Sequence, residues 1–476
     1  MYTKSQIRSM FLLLFFLFFS VILVYSFAGG DGSLGNPYQI TNCSDLQNMS
    51  FDLSANYTLN NNIDCGVSPF NTGAGFKPIG DLSTNAFRGN LNGNNYEIQN
   101  LYINNVSLSY TGLFGYLLNT SISNIVLTNV NVTGSSQVGG LVGRIINSNV
   151  SNSYVTGQVK GTGVNVGGVI GKNGFVGDLN NYFSNLGFNG IVNGTSISIG
   201  GLIGRSYGGN LDNSYFIGNV YGNNDWVGGL LGRAQSGLKI NNSYSEGEVS
   251  GLDHVGGLVG SFLANGFINS SYSSMDVNGV NYLGGLVGYN EVSIENSYAT
   301  GNVNGSNYVG GLIGFNGYYG VIENSYSTGN VNGSNNIGGL IGMNSENITN
   351  SYSTGNVNGN SNVGGFIGYQ WAGIIDNSYW NNESSQPRNM SIGFNNNAQS
   401  ATVIQDNISY FYNSNNPPMV NWTSGIWTFS ELGFPVLTWA FVPSSSSSGL
   451  VGIFPVINPL ILVLVLFGII SFLLFA

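Results

Sequence analysis

Charged side chains are scarce in this sequence. Of 476 residues, 21 are Asp or Glu and 11 are Lys or Arg, so charged residues make up 7% of the chain, against roughly 25% in an ordinary soluble domain. This composition excludes the surface of a typical cytosolic enzyme. The net charge of −10, with no cluster of Lys or Arg to neutralise phosphates, also predicts that nucleic acid is not a partner.

Proline, cysteine and histidine are also few. The chain has 10 Pro against 72 Gly, and glycine does not recur at every third residue, so a collagen-like helix is excluded. Two Cys and the single His254 are too few for the usual closed zinc site, so we predict no metal and no cofactor. Disorder is not expected either, because 42% of the residues are hydrophobic and 13% are aromatic.

The two cysteines, Cys43 and Cys65, both lie near the start of the chain. In an exported protein they are expected to form a structural disulfide. Closing a loop of this length stabilises a fold by about 3 kcal/mol in the chain-entropy model. A pair of free thiols is the alternative, and export disfavours it.

Both ends of the chain are apolar. Lys4 and Arg8 precede an apolar run, which makes residues 1–28 a secretion signal cut before Gly29, or else an uncleaved signal anchor. Residues 443–449 form a Ser-rich tether, and residues 450–476 contain no charged side chain, which predicts a transmembrane anchor. A tail removed during attachment to lipid or wall is the alternative. The sequence therefore predicts an extracellular ectodomain anchored in the cell membrane.

Glycine is periodic in this chain. The pentapeptide Gly310–Gly314, Gly-Gly-Leu-Ile-Gly, recurs in nine regular copies after a degenerate first copy at Thr111–Gly115. Successive copies are 26 to 33 residues apart. We predict that the second and last glycines of the regular copies form the core of the repeat: Gly140, Gly143, Gly168, Gly171, Gly201, Gly204, Gly229, Gly232, Gly257, Gly260, Gly285, Gly288, Gly311, Gly314, Gly339, Gly342, Gly365 and Gly368.

Two other signatures repeat with the glycines. Asn-Ser-Tyr occurs at Asn296–Tyr298, Asn324–Tyr326 and Asn350–Tyr352, and Thr-Gly-Asn-Val-Asn-Gly follows from Thr300. Each unit therefore holds three short β-type segments without helical periodicity. A unit of this size cannot bury its own apolar side and must stack on its neighbours. This predicts a parallel β-solenoid of about ten turns, some 45 Å long at the usual strand spacing.

The repeats also predict roles for single residues. Glycine is expected to allow tight corners with positive φ, and the Asn of each Asn-Ser-Tyr to form a ladder or cap a corner. Two large apolar residues are adjacent in each glycine pentapeptide, although a regular strand would point them to opposite faces. We predict that the first of the two is buried in every turn, as at Leu258, Leu286, Leu312 and Leu340.

These signatures resemble the GLUG motif repeat of bacterial and archaeal surface proteins of the adhesin type. Segments outside the repeats match as well, including Asn36–Ile40, Phe87–Asn94, Tyr379–Trp380 and Phe434–Trp439. The resemblance covers roughly residues 35 to 440. It implies an all-β, right-handed parallel β-helix displayed at the cell surface, and it carries over no catalytic residue.

The predicted organisation has three exported parts. Residues 29–106 form a disulfide-linked entry segment, residues 107–380 the repeat solenoid, and residues 381–442 a closing segment. The entry and closing segments are expected to cap the solenoid, because an open solenoid end is an unpaired sheet edge.

The predicted function is adhesion, binding or structure at the cell surface, without enzymatic activity. Glycans or other surface proteins are the expected partners. Aromatic residues in or beside turns are candidates for stacking on sugar rings, with corner packing as the alternative: Tyr221, Trp226, Tyr282, Tyr289, Tyr308, Tyr318, Tyr319 and Trp371.

The alternative function is a polysaccharide lyase or hydrolase on a β-helix scaffold. Such chemistry needs paired carboxylates or an acidic calcium site. Glu295 and Glu323 occupy the same repeat position one turn apart, and Asp212 and Asp376 occupy it in other turns. A second acidic concentration, which is either a polar corner or a weak calcium site, comprises Glu246, Glu248, Asp253 and His254.

Overall fold

The computed structural model describes residues 27–175, 180–381, 390–396, 401–406, 408–430 and 433–441. Over these residues the chain coils into stacked turns whose strands pair in parallel, which confirms the predicted β-solenoid. No helix among the described residues is long and apolar enough to cross a membrane. The predicted tether and anchor at 443–476, and nearly all of the predicted signal at 1–28, lie outside the described residues.

Three parallel sheets form the sides of the solenoid in its described part. The first sheet has eight strands: Val166–Gly167, Ile199–Gly200, Val227–Gly228, Asp253–Gly256, Asn281–Gly284, Asn307–Gly310, Asn335–Gly338 and Ser361–Gly364. The second sheet has eleven: Phe114–Leu118, Val142–Ile146, Ile170–Asn173, Ile203–Tyr207, Leu231–Gln235, Val259–Phe262, Val287–Asn290, Ile313–Asn316, Ile341–Asn344, Ile367–Gln370 and Ile392–Asn395.

The third sheet is the largest and turns a corner within each repeat. Its 27 described strands are Tyr38–Ile40, Tyr57–Leu59, Ile63–Asp64, Leu91–Asn92, Glu97–Gln99, Tyr102–Asn104, Ser121–Ser123, Val126–Gly134, Asn149–Gly161, Tyr182–Gly194, Asn210–Asp212, Tyr215–Gly222, Lys239–Asn241, Tyr244–Ser250, Phe267–Asn269, Tyr272–Asn278, Ser293–Glu295, Tyr298–Ala299, Val303–Asn304, Ile322–Glu323, Tyr326–Ser327, Val331–Asn332, Ile348–Thr349, Tyr352–Ser353, Val357–Asn358, Ile375–Asn381 and Ala401–Asp406.

Equivalent residues of successive repeats are register partners. Ile313 pairs with Ile341 in the second sheet, and Tyr298 pairs with Tyr326 in the third. A side chain that recurs at one repeat position therefore contacts its own copy in the next turn. This register turns a sequence repeat into a ladder of side chains.

The core confirms the prediction made for the paired apolar residues. Leu258, Leu286, Leu312 and Leu340 are all fully buried. Each lies at the bend between a strand of the first sheet and a strand of the second. The bend directs both the Leu and the next apolar residue inward, so neither forms an exposed stripe.

The glycines of the pentapeptides have a different role from the one that the sequence predicted. None of the glycines in the regular pentapeptides has φ in the left-handed region. A Cβ on Gly314 would instead lie 2.5 Å from the backbone nitrogen of Leu283 and 2.6 Å from the carbonyl oxygen of Gly288. The prediction of positive φ therefore fails for the pentapeptide glycines, although it holds for Gly157, Gly190, Gly218 and Gly247 on the third sheet. The pentapeptide glycines are required because the backbones of the first and second sheets pass too close for any side chain.

The Asn-Ser-Tyr signature supplies the left-handed corner. Asn296, Asn324 and Asn350 have φ of 49°, 47° and 50°, and asparagine tolerates this conformation better than most residues. Amide groups also bond up the stack, since Asn350 Nδ2 donates to Asn324 Oδ1 at 3.2 Å. Both roles that the sequence predicted for this Asn are confirmed.

The serine of the same signature satisfies buried backbone groups at the corner. The backbone nitrogen of Ser297 donates to Ser325 Oγ at 3.3 Å, and that of Ser325 donates to Ser351 Oγ at 3.2 Å. Each hydroxyl in turn donates to a carbonyl two residues earlier, as Ser325 does to Glu323 at 2.8 Å. A small hydroxyl is thus needed at this buried position in every turn.

The entry segment continues the coil. Its single described helix, α1 (Cys43–Asn48), begins after Asn42, whose side chain accepts from the backbone nitrogen of Asp45, and a 3-10 turn, Met49–Phe51, follows. Cys43 and Cys65 are bonded, which confirms the predicted disulfide. The strand Tyr57–Leu59 pairs with Leu91–Asn92, which in turn pairs with Ser121–Ser123 of the first repeat. The entry segment therefore adds strands to the third sheet and lengthens the solenoid at its N-terminal end.

The closing segment has two parts, one that continues the solenoid and one that packs on its outside. Strands Ile392–Asn395 and Ala401–Asp406 pair with the last turns of the solenoid. Beyond them, residues 408–430 and 433–441, here called the side flap, lie along the outside of the third sheet. The flap contains the 3-10 turns Ile408–Tyr412, Met419–Asn421 and Thr438–Phe441 and the antiparallel pair Trp427–Ser430 and Gly433–Leu437.

Candidate binding surface

The predicted sugar-stacking residues fall into two groups. Tyr282 and Tyr308 stack on each other at 4.8 Å, and Tyr289 stacks on Phe315 at 4.9 Å, so corner and face packing accounts for them. Tyr221 is half-buried. Trp226 is also half-buried. The remaining three side chains project into solvent, with exposed fractions of 73% for Tyr318, 78% for Tyr319 and 50% for Trp371.

One corner of the first sheet holds bulky residues in a strained conformation. Trp226, His254, Tyr282 and Tyr308 have φ between 55° and 62°, which is uncommon for such side chains and costs about 1–3 kcal/mol each. Ring stacking along the corner offsets part of this cost, as where His254 lies 4.9 Å from Tyr282. Burial lowers the pKa of His254.

The predicted carboxylate pair is brought together. Glu295 and Glu323 are register partners in adjacent turns of the third sheet, with Glu295 exposed and Glu323 half-buried. Asp212 accepts a hydrogen bond from Asn241 at 2.8 Å. The arrangement matches the repeat position assigned from sequence.

The second acidic concentration separates in space into two parts. Glu246 and Glu248 lie on the third sheet and accept hydrogen bonds from Tyr272 (3.0 Å) and Asn278 (3.4 Å). Asp253 and His254 lie on the first sheet, where Asp253 accepts from Asn281 at 2.8 Å. Among the described residues no group of three or more His, Cys, Asp or Glu is placed to hold a metal ion.

The second sheet carries a row of cations that was not predicted from the sequence. Arg144, Lys172, Arg205 and Arg233 are successive register partners on its outer face. We call these four residues the cation ladder. They represent four of the 11 basic residues in the chain, brought together over four consecutive turns.

Aromatic rings hold the heads of the cation ladder in place. Arg144 Cζ lies 5.5 Å from the ring centroid of Tyr116, and Arg205 Cζ lies 4.5 Å from that of Tyr207. Lys172 Nζ lies 5.2 Å from the Tyr207 ring, and Arg233 Cζ lies 3.8 Å from Trp226. Cation–π contacts of this kind fix the direction of otherwise flexible side chains.

The cations of the ladder are half-buried and only partly hydrogen-bonded, with Arg205 Nη2 donating to Gln235 Oε1 at 2.6 Å. Desolvation by burial, then the charges of Arg144 and Arg205, lower the pKa of Lys172 to about 8. Burial also lowers the pKa of Arg205 and Arg233. The Nε atoms of all three arginines are buried and have no hydrogen-bond partner among the described residues, which is unusual for buried charged groups.

A signal for this ladder was present in the sequence. Each of its four residues directly follows the last glycine of a pentapeptide, after Gly143, Gly171, Gly204 and Gly232. No two of these four residues are close together along the chain. Residues about 28 or 33 positions apart become neighbours only once the register is known, so the premise that this chain has no cluster of basic residues is wrong.

A second ladder consists of tyrosines of the Asn-Ser-Tyr signature together with Tyr272, which follows Ser270 and Ser271. Rings from Tyr215 to Tyr379 stack at centroid distances of 4.7 to 5.4 Å with interplanar angles of 2° to 12°. Burial, with a smaller effect of Glu246, raises the pKa of Tyr298 to about 12. We call this stack of rings the tyrosine ladder.

The side flap covers the C-terminal half of the tyrosine ladder. Phe411 stacks on Tyr379 at 3.6 Å, and Trp439 lies 5.7 Å from Tyr298. Trp439 Nε1 donates to the carbonyl of Asn296 at 3.1 Å, and the Tyr352 hydroxyl donates to the carbonyl of Pro435 at 2.6 Å. Tyr215 and Tyr244 lie beyond the described flap contacts and are half-buried.

These features define a glycine-repeat β-solenoid whose outer faces carry ladders of like side chains. Five segments of the chain match the family model described as the GLUG motif: residues 134–160, 195–221, 279–304, 305–332 and 359–383. The resemblance inferred from the residues is therefore confirmed at five repeats.

Two relatives share part of this sequence. Halomucin of Haloquadratum walsbyi is 37% identical over 117 residues, which is 23% of this chain and 1% of that protein. A "Putative Gly-rich membrane protein" of Evansella cellulosilytica is 38% identical over 110 residues, which is 22% of this chain and 13% of that protein. The matches thus span only a small part of either relative.

Among solved structures, the crystal structure of a "putative immunoglobulin A1 protease" from Bacteroides ovatus is similar to this chain. The two are 19% identical with a TM-score of 0.42, and the match covers 87% of this chain and 95% of the other.

Proposed function

We propose that the protein is a membrane-anchored cell-surface repeat protein that acts as a binding or adhesion module. The observation that carries this proposal is the presence of continuous side-chain ladders on the outer faces of the solenoid. A ligand that runs along the solenoid axis meets the same chemical group in successive turns, so weak contacts add up over its length. The names of the two relatives, Halomucin and a Gly-rich membrane protein, agree with a place at the cell surface.

A binding experiment tests this proposal directly. Full-length protein in detergent micelles is applied to a glycan array and to intact cells, with empty micelles as the control. We expect binding to a subset of glycans or cells. Absence of binding to every glycan and every cell type would contradict a binding role and leave a structural one.

The location is tested separately. Limited proteolysis of intact cells that produce the full-length protein should degrade the solenoid, and a cytoplasmic protein of the same cells should remain intact. Complete protection of the solenoid in intact cells, with degradation after lysis, would contradict a surface location.

The second candidate function is polysaccharide cleavage, and the adjacency of Glu295 and Glu323 is the observation that favours it. Neighbouring turns place such groups about 4.8 Å apart at the backbone, close to the separation of about 5–5.5 Å in retaining glycosidases. The test measures release of reducing ends from polysaccharides by wild type, Glu295→Gln and Asp276→Asn, the last being an exposed control. Activity that Glu295→Gln abolishes and Asp276→Asn keeps would establish this function. Lack of activity in the wild type would exclude it for the polysaccharides used.

A further inference from the structure

The cation ladder concentrates positive charge on a chain that is otherwise acidic. Its four residues are register partners in consecutive turns, so they form a straight row parallel to the solenoid axis. The rise per turn is about 4.8 Å, and the row therefore spans roughly 14 Å between its first and last backbone positions. Like charges at this spacing repel one another, and the fold retains the repulsion in the unbound protein.

The ladder is preorganised to receive anions. Tyr116, Tyr207 and Trp226 hold the charged heads. The guanidinium Nε atoms of the three arginines are buried, so a ligand would contact the outer nitrogens of these groups, one of which, Arg205 Nη2, already donates to Gln235 Oε1 at 2.6 Å. A carboxylate or sulfate is a strong acceptor for a guanidinium group, because it can take two parallel hydrogen bonds and also cancels charge.

The geometry narrows the class of ligand. A row with one cation per turn fits a linear polymer that carries one anionic group per repeating unit and lies along the axis. The same line on the second sheet continues, beyond Ser261, with the stacked rings of Tyr289 and Phe315, 4.9 Å apart. These two rings stack on each other, so the cations and not the rings supply the contacts that we assign to a ligand on this line.

The charge distribution favours a polysaccharide over a nucleic acid. Duplex DNA carries one negative charge per about 1.7 Å of its axis, far more than four cations can neutralise. The chain as a whole has a net charge of −10, so its remaining surface repels such a polymer. A sparsely charged glycan avoids most of that repulsion.

We propose that Arg144, Lys172, Arg205 and Arg233 form a binding site for a linear acidic polysaccharide whose chain runs along the solenoid axis. One carboxylate or sulfate group contacts each turn. This site rests on the proposed binding function and specifies its ligand class.

The test compares matched sets of charge-neutralising substitutions in the full-length protein. The ladder variant combines Lys172→Gln, Arg205→Gln and Arg233→Gln. The control variant removes the same charge elsewhere, with Lys77→Gln, Lys160→Gln and Lys239→Gln, all exposed. The probes are alginate as a polycarboxylate, dextran sulfate as a polysulfate, unmodified dextran, and single-stranded oligodeoxythymidine.

We expect wild type to bind alginate or dextran sulfate and not unmodified dextran. The ladder variant should raise Kd at least about tenfold and reduce the slope of log Kd against log salt by about two, while the control variant leaves both nearly unchanged. Equal losses in both variants, or tighter binding of the oligonucleotide than of either acidic glycan, would overturn the proposal.

A footprinting measurement on the wild type avoids any effect of substitution on folding. Bound alginate or dextran sulfate, whichever binds, should slow acetylation of Lys172 at least about fivefold and leave Lys239 unaffected. Equal reactivity of Lys172 with and without the polymer would overturn the site. If the protein binds cells or other glycans but neither acidic polymer, the ladder proposal fails and the binding function stands. If it binds nothing, both fail.

Discussion

Replacing Gly314 by Ala tests why glycine recurs in every turn. The new Cβ would lie 2.5 Å from the Leu283 nitrogen, 2.6 Å from the Gly288 carbonyl oxygen and 2.6 Å from the Tyr282 carbonyl carbon. Ordinary contacts need about 3.5 Å or more, so three backbone atoms must each move by close to 1 Å. None of them belongs to a flexible side chain that could swing away.

The size of the effect follows from what such a movement breaks. Separating the two backbones strains the hydrogen bonds on either side of the contact, each contributing about 1 kcal/mol. Overpacking of a core by side chains alone costs about 1–3 kcal/mol. We therefore expect Gly314→Ala to lower the free energy of unfolding by about 3 kcal/mol.

Chemical denaturation of the full-length protein, followed by far-UV circular dichroism, measures this change. Gly35→Ala is the matched control, because nothing lies within 4 Å of its added Cβ and its φ is not in the left-handed region. The control should change stability by less than about 0.5 kcal/mol.

Gly314→Asn separates the two explanations for glycine. If positive φ were the requirement, Asn would be tolerated better than Ala, because asparagine adopts the left-handed region more readily. If close approach is the requirement, Asn is at least as harmful as Ala. Wild-type stability in Gly314→Ala, or rescue by Asn, would refute the close-approach reasoning.

Three further predictions concern the ladders and the disulfide. Tyr352→Phe removes the hydrogen bond to the Pro435 carbonyl and should cost about 1 kcal/mol, seen as earlier loss of the near-UV tryptophan signal of the flap; an unchanged midpoint would contradict this contact. The pKa of Lys172 is about 8 in the folded protein, against an ordinary value of 10.5, so the free energy of unfolding should rise as the pH rises from 8 to 10.5. Lys172→Gln should therefore be more stable than wild type at pH 7. A difference in stability between the two proteins that does not shrink with rising pH would contradict this. The double variant Cys43→Ser, Cys65→Ser removes a disulfide that joins residues 22 positions apart. It should lower the free energy of unfolding, measured with denaturant, by about 3 kcal/mol. Equal stability of the wild type with and without reductant would argue against a stabilising role of the disulfide.

The repeats allowed much of the fold to be predicted. A period shared by the glycine pentapeptide and Asn-Ser-Tyr implies stacked turns, because no single unit can bury its apolar side. Burial of Leu312 and the corner role of Asn324 followed from the same argument. Both depend on local geometry that repeats in every turn, so one turn predicts the rest.

The cation ladder and the side flap could not be predicted from the repeats. The cation ladder depends on contacts between residues such as Arg205 and Arg233 in different turns, and reading charge along the chain cannot show it. The side flap depends on how an irregular segment folds back, as Trp439 does to reach Asn296, 143 residues earlier in sequence. No period in residues 408–441 indicates that path.

The sequence by itself determined that this chain coils, how long each turn is and which residues face the core. It did so because a strict period leaves only one way to bury the apolar positions of every unit. The tertiary structure decided why glycine is needed, which cations become neighbours and which tyrosines the flap covers. Those features depend on distances between backbones and side chains in different turns, and the order of residues along the chain does not contain them.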